Sequence, residues 1–344
     1  MKMQKRLKFL SAVAIFFSST SLSAQDDIGN LFNEEIAESK VLIKEYISPF
    51  MKSSSLALNQ GWYNTAKVHK FPGFDLTTSI SLMGIPDSET FFKVSDLGLK
   101  HYSLDENASP DGEFAPTVFG PDRTPKFIYK KGTPDEEAFD GPPGIGMKDE
   151  IGRNFMPVPI AHLGIGLPKN TEIKIRFVPT IGLGDEGEFK IFGVGVMHDI
   201  KQHIPGIKLL PFDLSAFAGY TRMSVEYRPE QQDVQGENQR AEMTMNATTI
   251  QGVISKQFSV ITFYGSIGYN IAKSNIGFKG TYDINDDGDT TDSYERDPID
   301  LSFSASGPRA SAGFRLKLAV ITIHADYTFQ KYKALNVGFG ISVR

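Results

Sequence analysis

The residues with the clearest capacity for chemistry lie in a short acidic run late in the chain. From Asp283 it reads Asp-Ile-Asn-Asp-Asp-Gly-Asp-Thr-Thr-Asp, with oxygen-bearing side chains at loop positions 1, 3 and 5 and a glycine at position 6. Hard cations such as Ca2+ bind ligands of this type at this spacing. The predicted ligands are Asp283, Asn285, Asp287 and Asp292. Position 12 is Tyr294 and lacks the bidentate glutamate of an EF-hand, so a shorter calcium loop and a solvated acidic loop both stay open.

A second polar cluster contains His198, Asp199 and His203. Metal sites need three or more convergent ligands, and a strand that runs into a turn does not direct both imidazoles to one centre. We therefore expect a polar turn at this position. The chain has no cysteine and no Gly-x-Ser-x-Gly motif, which excludes a disulfide framework, a thiolate site and a nucleophile elbow. We expect no enzyme activity and no required cofactor, with Ca2+ as the one candidate ion.

The first 24 residues have the three parts of a secretory signal peptide. A basic start is followed by an apolar stretch from Phe9 to Phe17 and by the small-residue end Ser-Leu-Ser-Ala. We predict that this segment directs export of the protein from the cytoplasm and is cleaved after Ala24. The formal net charge of -5 argues against a nucleic-acid partner, because phosphate binding needs a basic face.

Residues 25–58 have apolar side chains at helical spacing, with charged residues between them. We predict one or two amphipathic helices. The apolar face includes Phe32, Ile36, Ile43 and Ile47. Two placements stay open: a plug inside the mouth of a barrel, or a helix that packs on something else.

From residue 59 to residue 344 the dominant period is two, which is typical of β-strands. In the last segment, Leu335, Val337, Phe339, Ile341 and Val343 fall on one face, and the residues between them are glycine, serine or asparagine. Several earlier segments share this pattern, although it blurs between Met243 and Ile254, where we expect a β-bulge.

The candidate strands number about 12, or about 14 with a further hairpin, which is the range of outer-membrane barrels. Their long connections, 104–156, 229–240 and 281–307, fall on one side, and mostly short turns fall on the other. A soluble β-sandwich also alternates, but it has no reason to segregate its loops by length. We therefore predict an all-β, antiparallel transmembrane β-barrel with a short N-terminal helical segment.

Ionisable residues on the polar faces of these strands are predicted to line the lumen. They are Lys174, Arg176, Glu226, Arg315 and Asp326. Such groups could pair across the interior and close it, which we favour, or line a narrow path.

Two stretches carry a resemblance to known families. The first is Trp62-Tyr63-Asn64-Thr65-Ala66 with Phe74-Asp75-Leu76, and the second is the run from His198 to Pro205 with Leu210 to Leu214. Through these residues the chain resembles an uncharacterised family of Bacteroidota outer-membrane proteins, over nearly all of its mature length. The architecture of helices ahead of a barrel is more loosely similar to the long-chain fatty-acid transporter (FadL) family, in which an N-terminal hatch precedes a barrel that admits hydrophobic cargo.

These resemblances imply a location in the cell outer membrane, with outer-membrane lipid and the barrel-assembly machinery as partners. The function expected first is passive uptake of small hydrophobic molecules. The alternative is a sealed structural or surface-binding protein that acts through its long outer loops, and a barrel-embedded enzyme is a weaker third.

Overall fold

The computed structural model describes residues 36–134, 136–182, 187–228, 236–283, 288–291 and 295–343. Two α-helices are present there, α1 (Ile36–Ala57) and α2 (Met147–Ile151), with short 3-10 turns at Asp87–Glu89, Val94–Leu97 and Lys201–His203. The strands are β1 (Phe74–Gly84), β2 (Phe91–Lys93), β3 (Tyr102–Leu104), β4 (Phe114–Pro116), β5 (Lys126–Tyr129), β6 (Glu137–Asp140), β7 (Phe155–Leu167), β8 (Thr171–Gly182), β9 (Gly187–Asp199), β10 (Asp213–Tyr227), β11 (Arg240–Phe258), β12 (Ile261–Lys279), β13 (Ile299–Ser304), β14 (Gly307–Leu318), β15 (Ile321–Phe329) and β16 (Ala334–Val343).

Ten of these strands form a closed antiparallel barrel. Their order is β1, β7, β8, β9, β10, β11, β12, β14, β15 and β16, and β16 pairs with β1 to close the ring. Within the described residues, strand β13 pairs only with β12, on the part of β12 that follows Asn270, where the pairing with β14 begins at Gly307. Closure leaves the ring without free strand edges, so the ladder hydrogen bonds are satisfied within it.

The count of ten differs from the expected 12 to 14. The 12 predicted strands include residues 61–69 and 90–103, yet neither segment joins the ring. The first runs extended through the barrel interior, and the second lies in the connection between β1 and β7. Residues 61–69 are buried on most sides, so their side chains meet different surroundings without forming a wall strand. Residues 90–103 are only partly buried and divide into β2, a 3-10 turn and β3.

The outer face of the barrel is apolar over much of its height. On β16 every second residue from Leu335 to Val343 is exposed, and the glycine, serine and asparagine residues between them face inward and are buried. The same division holds on β15, where Ile321 and Phe329 are exposed and Thr322 and Thr328 are buried. The two-faced pattern predicted from the sequence is therefore present in the wall.

The arrangement of apolar residues outside and polar residues inside reverses along the long strands β10 to β12. Near the short turns β11 presents Ile250 and Ile254 outward and Gln251 inward, whereas near its other end it buries Met243 and Met245 and leaves polar residues outside. Its inward and outward positions alternate without a break from Arg240 to Lys256, and its pairing with β10 and β12 shows no register shift. The blurred pattern between Met243 and Ile254 thus comes from this reversal of polarity, and the expected bulge is absent there.

The two ends of the barrel differ. The described parts of the connections 85–154, 228–239 and 280–298 all lie at one end, which we call the long-connection end, as predicted. The other, short-turn end carries the turns at 168–170, 259–260 and 319–320, the somewhat longer connection 200–212, and the ends of β1 and β16. Residues 85–154, which we call the cap, contain two small sheets, one of β2 and β4 and one of β3, β5 and β6.

Helix α1 lies at the long-connection end, between the cap and the barrel wall, where it contacts β1, β7, β11, β12 and β13. Ile43 and Ile47, both predicted for the apolar face, are buried there with Leu42, Phe50 and Met51. Ile36 begins the helix, but its side chain and all of Phe32 lie outside the described residues. From the end of α1 the chain passes down the lumen to the short-turn end, where β1 begins.

Among the described residues, no helix has both the length and the apolar composition needed to cross a bilayer.

Candidate functional site

The most elaborate constellation of polar groups lies inside the barrel, around residues 58–69, which we call the threaded segment. Within the part of the chain that the structure describes, this segment has no strand partner, so side chains of the wall satisfy its buried backbone groups. Two guanidinium groups do this at its start. Arg176 on β8 donates from Nη1 to the carbonyl of Leu58 at 2.6 Å and from Nη2 to the carbonyl of Gln60. Arg309 on β14 donates to the carbonyl of Asn59 at 2.9 Å and to Oε1 of Gln60 at 3.0 Å.

Trp62 occupies the next level of the lumen. The guanidinium carbon of Arg176 lies 3.5 Å from the centre of the indole ring, a cation-π arrangement. The ring of Phe217 also packs against the indole, tilted by 48°, with ring centres 5.4 Å apart. Gly195 and Gly219 make this possible, because a Cβ on Gly219 would lie 2.9 Å from the indole and one on Gly195 would lie 3.1 Å from it. The ring of Trp62 occupies the space that side chains at Gly195 and Gly219 would take.

Further down, hydroxyl and amide groups take over. Thr65 and Ser255 bring their hydroxyl oxygens to 3.2 Å, and the same Ser255 oxygen accepts from the backbone N–H of Ala66 at 3.0 Å. The hydroxyl of Ser215 donates to the carbonyl of Ala66 at 2.6 Å. Tyr63 donates from its hydroxyl to Oε1 of Gln251. These contacts join the threaded segment to the inner faces of β10 and β11.

The threaded segment ends in a buried ionic cluster near the short turns. Glu172 accepts from the backbone and ring nitrogens of His69 at 2.9 Å each, and the other ring nitrogen of His69 lies 2.9 Å from the hydroxyl of Ser342. The ammonium of Lys174 lies 2.5 Å from Glu172 and 3.5 Å from Asp75.

His69, Asp75 and Glu172 lie close enough together to share a metal ion. The ammonium of Lys174 already lies between the two carboxylates, and this side chain brings the positive charge that buried carboxylates require. The cluster is therefore best described as an ion network that holds the threaded segment to β1, β8 and β16.

The residues predicted to line the lumen fall in two places. Lys174, Arg176, Arg315 and Asp326 are buried on the inner wall, where Asp326 accepts hydrogen bonds from Tyr264 at 2.9 Å and from Asn336 at 3.0 Å.

Glu226 differs from this expectation. It lies on the outer face at the end of β10 and pairs with Arg228 at 2.6 Å. The inward positions of β10 are the odd-numbered ones from Ser215 to Val225. At this height Met223 and Val225 face inward, because the polarity of the wall has already reversed.

At the long-connection end, α1 is fastened to the cap. The carboxylate of Glu38 accepts from the backbone N–H groups of Lys100 and His101 at 2.9 Å each and of Tyr102 at 3.4 Å. Partial burial acts to raise the pKa of Glu38, but these donors outweigh it and hold the pKa below its usual value. The hydroxyl of Tyr46 donates to the carbonyl of Pro143 at 2.9 Å, and burial raises the pKa of Tyr46.

Between α1, the cap and β12 lies an apolar cavity of about 70 Å³. Its lining includes Leu42, Ile43, Tyr46, Ile47, Phe92, Phe127, Ile276 and Phe278. The volume is small beside the roughly 300–1,000 Å³ of typical ligand pockets, so this cavity has room for a few carbon atoms.

The predicted calcium loop lies mostly outside the described residues. Asn285, Asp287 and Asp292 are not described, and Asp283 accepts a hydrogen bond from the backbone N–H of Gly288 at 3.0 Å. The histidine turn is described. His198 and His203 face each other with their Nε2 atoms 3.0 Å apart, and Nδ1 of His198 lies 2.9 Å from the hydroxyl of Thr171.

We predict that Lys174→Met destabilises the folded barrel by about 3 to 5 kcal/mol, because it leaves Glu172 and Asp75 as buried carboxylates without their cation. The midpoint of heat-induced unfolding, read from the gel mobility of the folded form, measures this. The double variant Lys174→Met/Glu172→Gln should recover part of the loss, and a chelator should leave the wild-type midpoint unchanged. A chelator that lowers it would show that the cluster holds a metal ion.

Comparison with solved structures gives likenesses to outer-membrane β-barrels. The attachment invasion locus protein Ail of Yersinia pestis shares 7% identity at a TM-score of 0.26, over 79% of this chain and 99% of that one. The translocator domain of the autotransporter NalP of Neisseria meningitidis shares 9% at 0.26, over 92% and 99%. A FadL homologue of Pseudomonas aeruginosa shares 12% at 0.27, over 82% and 67%. TM-scores this low carry no inference about function.

No curated protein sequence matches this chain significantly. A family profile does match it, over residues 3–343, which is nearly the whole length. The chain belongs to the family of unknown function DUF6588.

Proposed function

We propose that this protein is an outer-membrane β-barrel that is sealed by its own N-terminal segment and acts through the cap and loops at its long-connection end. The observation that carries the proposal is the threaded segment. Its backbone and side chains occupy the lumen and are hydrogen-bonded by Arg176, Arg309, Ser255 and Ser215. A pore that admits solutes by diffusion needs an open path, and the buried side chains of Trp62, Phe217 and Arg176 at one level of the lumen support a closed one.

The outer wall supports the membrane part of the proposal. On β12 the outward residues from Ile261 to Ile271 are apolar or glycine, and Lys273 and Asn275 follow on the same face. At about 3.3 Å per residue this stretch is about 33 Å of strand, or about 25 Å along the barrel axis at a tilt near 40°, which matches the apolar band of outer-membrane barrels. The exposed apolar wall would be a large liability in water.

The short turns would then face the periplasm and the cap the cell exterior, as is usual for such barrels. The signal peptide, the absence of catalysis, the calcium loop, the assembly machinery as a partner and a Bacteroidota origin stay predictions from the sequence.

We predict that Ile267→Arg strongly impairs folding into the membrane, whereas Asn275→Arg on the same strand does not. Ile267 is 72% exposed at the centre of the apolar band, where an arginine costs about 2 to 4 kcal/mol. Asn275 is exposed above the band and loses only a surface hydrogen bond to Ser302. The folded fraction in isolated outer membranes, measured by heat-shift gels, distinguishes them. Equal folded fractions for both variants would place β12 outside lipid.

For the sealed lumen we predict that the wild-type protein shows no steady conductance in planar bilayers, and that Arg176→Ala/Arg309→Ala does. The double change removes the guanidinium donors to the carbonyls of Leu58, Asn59 and Gln60, and it leaves Leu58 with only the longer contact to the hydroxyl of Thr221 at 3.4 Å. The control is Lys208→Ala/Lys256→Ala, which removes two exposed cations instead. Heat-shift gels verify that each variant is folded. Steady conductance by the wild-type protein would contradict the proposal.

Uptake of small hydrophobic molecules is the second candidate function, and the apolar cavity against α1 is the observation that favours it. A molecule held there would need the threaded segment to move before it could pass further.

We predict that cells producing the wild-type protein take up a fluorescent fatty acid no faster than cells with an empty vector. Uptake above the vector that Ile47→Glu abolishes and Ile47→Met preserves would favour the second candidate. Ile47 is buried in the cavity wall, so the glutamate would place a charge in its apolar lining, whereas methionine keeps the volume and the apolar character.

A further inference from the structure

The outward face of β10 to β12 carries a cluster of hydrogen-bond donors just beyond the apolar band. Cross-strand pairing places Arg222 opposite Asn246, and Asn246 opposite Lys273. The row below consists of Tyr220, Thr248 and Ile271 on the same three strands. Arg222, Asn246 and Lys273 therefore lie side by side on neighbouring strands about 5 Å apart. They lie at the level where the apolar outer face of these strands ends.

The donor groups in this row are not matched by acceptors. The hydroxyl of Tyr220 donates to Oδ1 of Asn246 at 2.7 Å, which occupies the amide oxygen and turns the amide NH2 away from it. Arg222 and Lys273 are both exposed. Guanidinium, amide NH2 and ammonium offer only N–H donors, two of the three groups being cationic. Among the described residues, neither Arg222 nor Lys273 forms an ion pair.

Two arginines further from the apolar band, at the same ends of β10 and β11, do form ion pairs. Arg228 pairs with Glu226 at 2.6 Å, and Arg240 pairs with Glu242 at 2.6 Å. These acidic residues lie four positions along the strand from the Arg222 row, about 13 Å away. That distance exceeds the screening length of about 8 Å at physiological salt, so they do not neutralise Arg222 or Lys273. The charge of this row is left for a ligand.

We propose that Arg222, Asn246 and Lys273 bind a phosphate group of a lipid in the leaflet on the long-connection side. An all-donor, doubly cationic set at the border of an apolar wall complements a phosphate oxygen cluster whose acyl chains lie against that wall. With the cap facing the cell exterior, the lipid is lipid A. This inference rests on the membrane placement proposed above.

The test compares purified full-length protein in vesicles of phosphatidylcholine, whose phosphate is neutralised by its own choline, with and without lipid A, whose phosphates carry net negative charge. Lipid A is expected to raise the unfolding midpoint of the wild-type protein. In Arg222→Gln/Lys273→Gln the raise should be largely lost, with binding of lipid A weaker by about tenfold, since both charge-assisted hydrogen-bond donors are removed. The matched control Arg228→Gln/Arg240→Gln removes two arginines from the same face and should keep the raise, because those residues are neutralised by glutamates.

Each remaining outcome overturns a stated part. An equal raise in both double variants would contradict the assignment of the phosphate site. A raise produced by inorganic phosphate in plain phosphatidylcholine vesicles would show a general anion site and contradict a lipid ligand. Failure of the wild-type protein to insert into either vesicle would contradict the membrane placement itself, and the lipid site with it. Insertion is scored separately by heat-shift gels.

Discussion

The rest of the structure depends on how an extended segment without strand partners is buried inside a barrel. Residues 58–69 carry backbone donors and acceptors that no ladder satisfies, and leaving one such group unpaired costs roughly 1 to 3 kcal/mol. The guanidinium groups of Arg176 and Arg309 satisfy carbonyls at the upper end, and Ser215 and Ser255 satisfy backbone groups lower down. The polar lumen is therefore the binding site of the threaded segment.

This arrangement accounts for the reversal of polarity in the wall. Where the threaded segment passes, the inner face is polar and the outer face apolar. Where α1 and the cap fill the barrel, the inner face carries Met243 and Met245 and the outer face carries Glu242 and Arg240. Each of these strands thus has an apolar outer face near the short turns and a polar outer face near the cap. In the proposed placement, the height at which the outer face changes from apolar to polar is the height at which lipid ends. The donor row at Arg222 lies at that point.

Much of the architecture could be predicted from local pattern. The alternation from Leu335 to Val343 indicates a two-faced strand, because a period of two directly reports two environments. The segregation of loops by length indicates a barrel with two unlike ends. Strand number could not be predicted in the same way, since residues 61–69 are also among the predicted strands and their partners are distant in sequence. The side of Glu226 was also beyond local pattern, because its inward neighbour Val225 is apolar at that height.

The lumen contacts were missed for a related reason. Trp62 is the one tryptophan of the chain, and Gly195 and Gly219 look like ordinary small residues of a wall strand. Only the fold brings them together. Two features of the sequence could have predicted this contact. Large aromatic residues, Trp62 and Tyr63, lie in a short segment before the first strand, and β9 and β10 have glycines on the face that lines the lumen.

The position of the threaded segment can be tested most directly with a pair of introduced cysteines. Thr65 and Ser255 bring their hydroxyl oxygens to 3.2 Å, and the native chain has no cysteine to interfere. In Thr65→Cys/Ser255→Cys, mild oxidation of isolated membranes should join the two sulfurs within one folded chain. The account predicts near-complete intramolecular disulfide in the heat-resistant folded form. Two free thiols in folded protein, each open to a membrane-impermeant reagent, would contradict it.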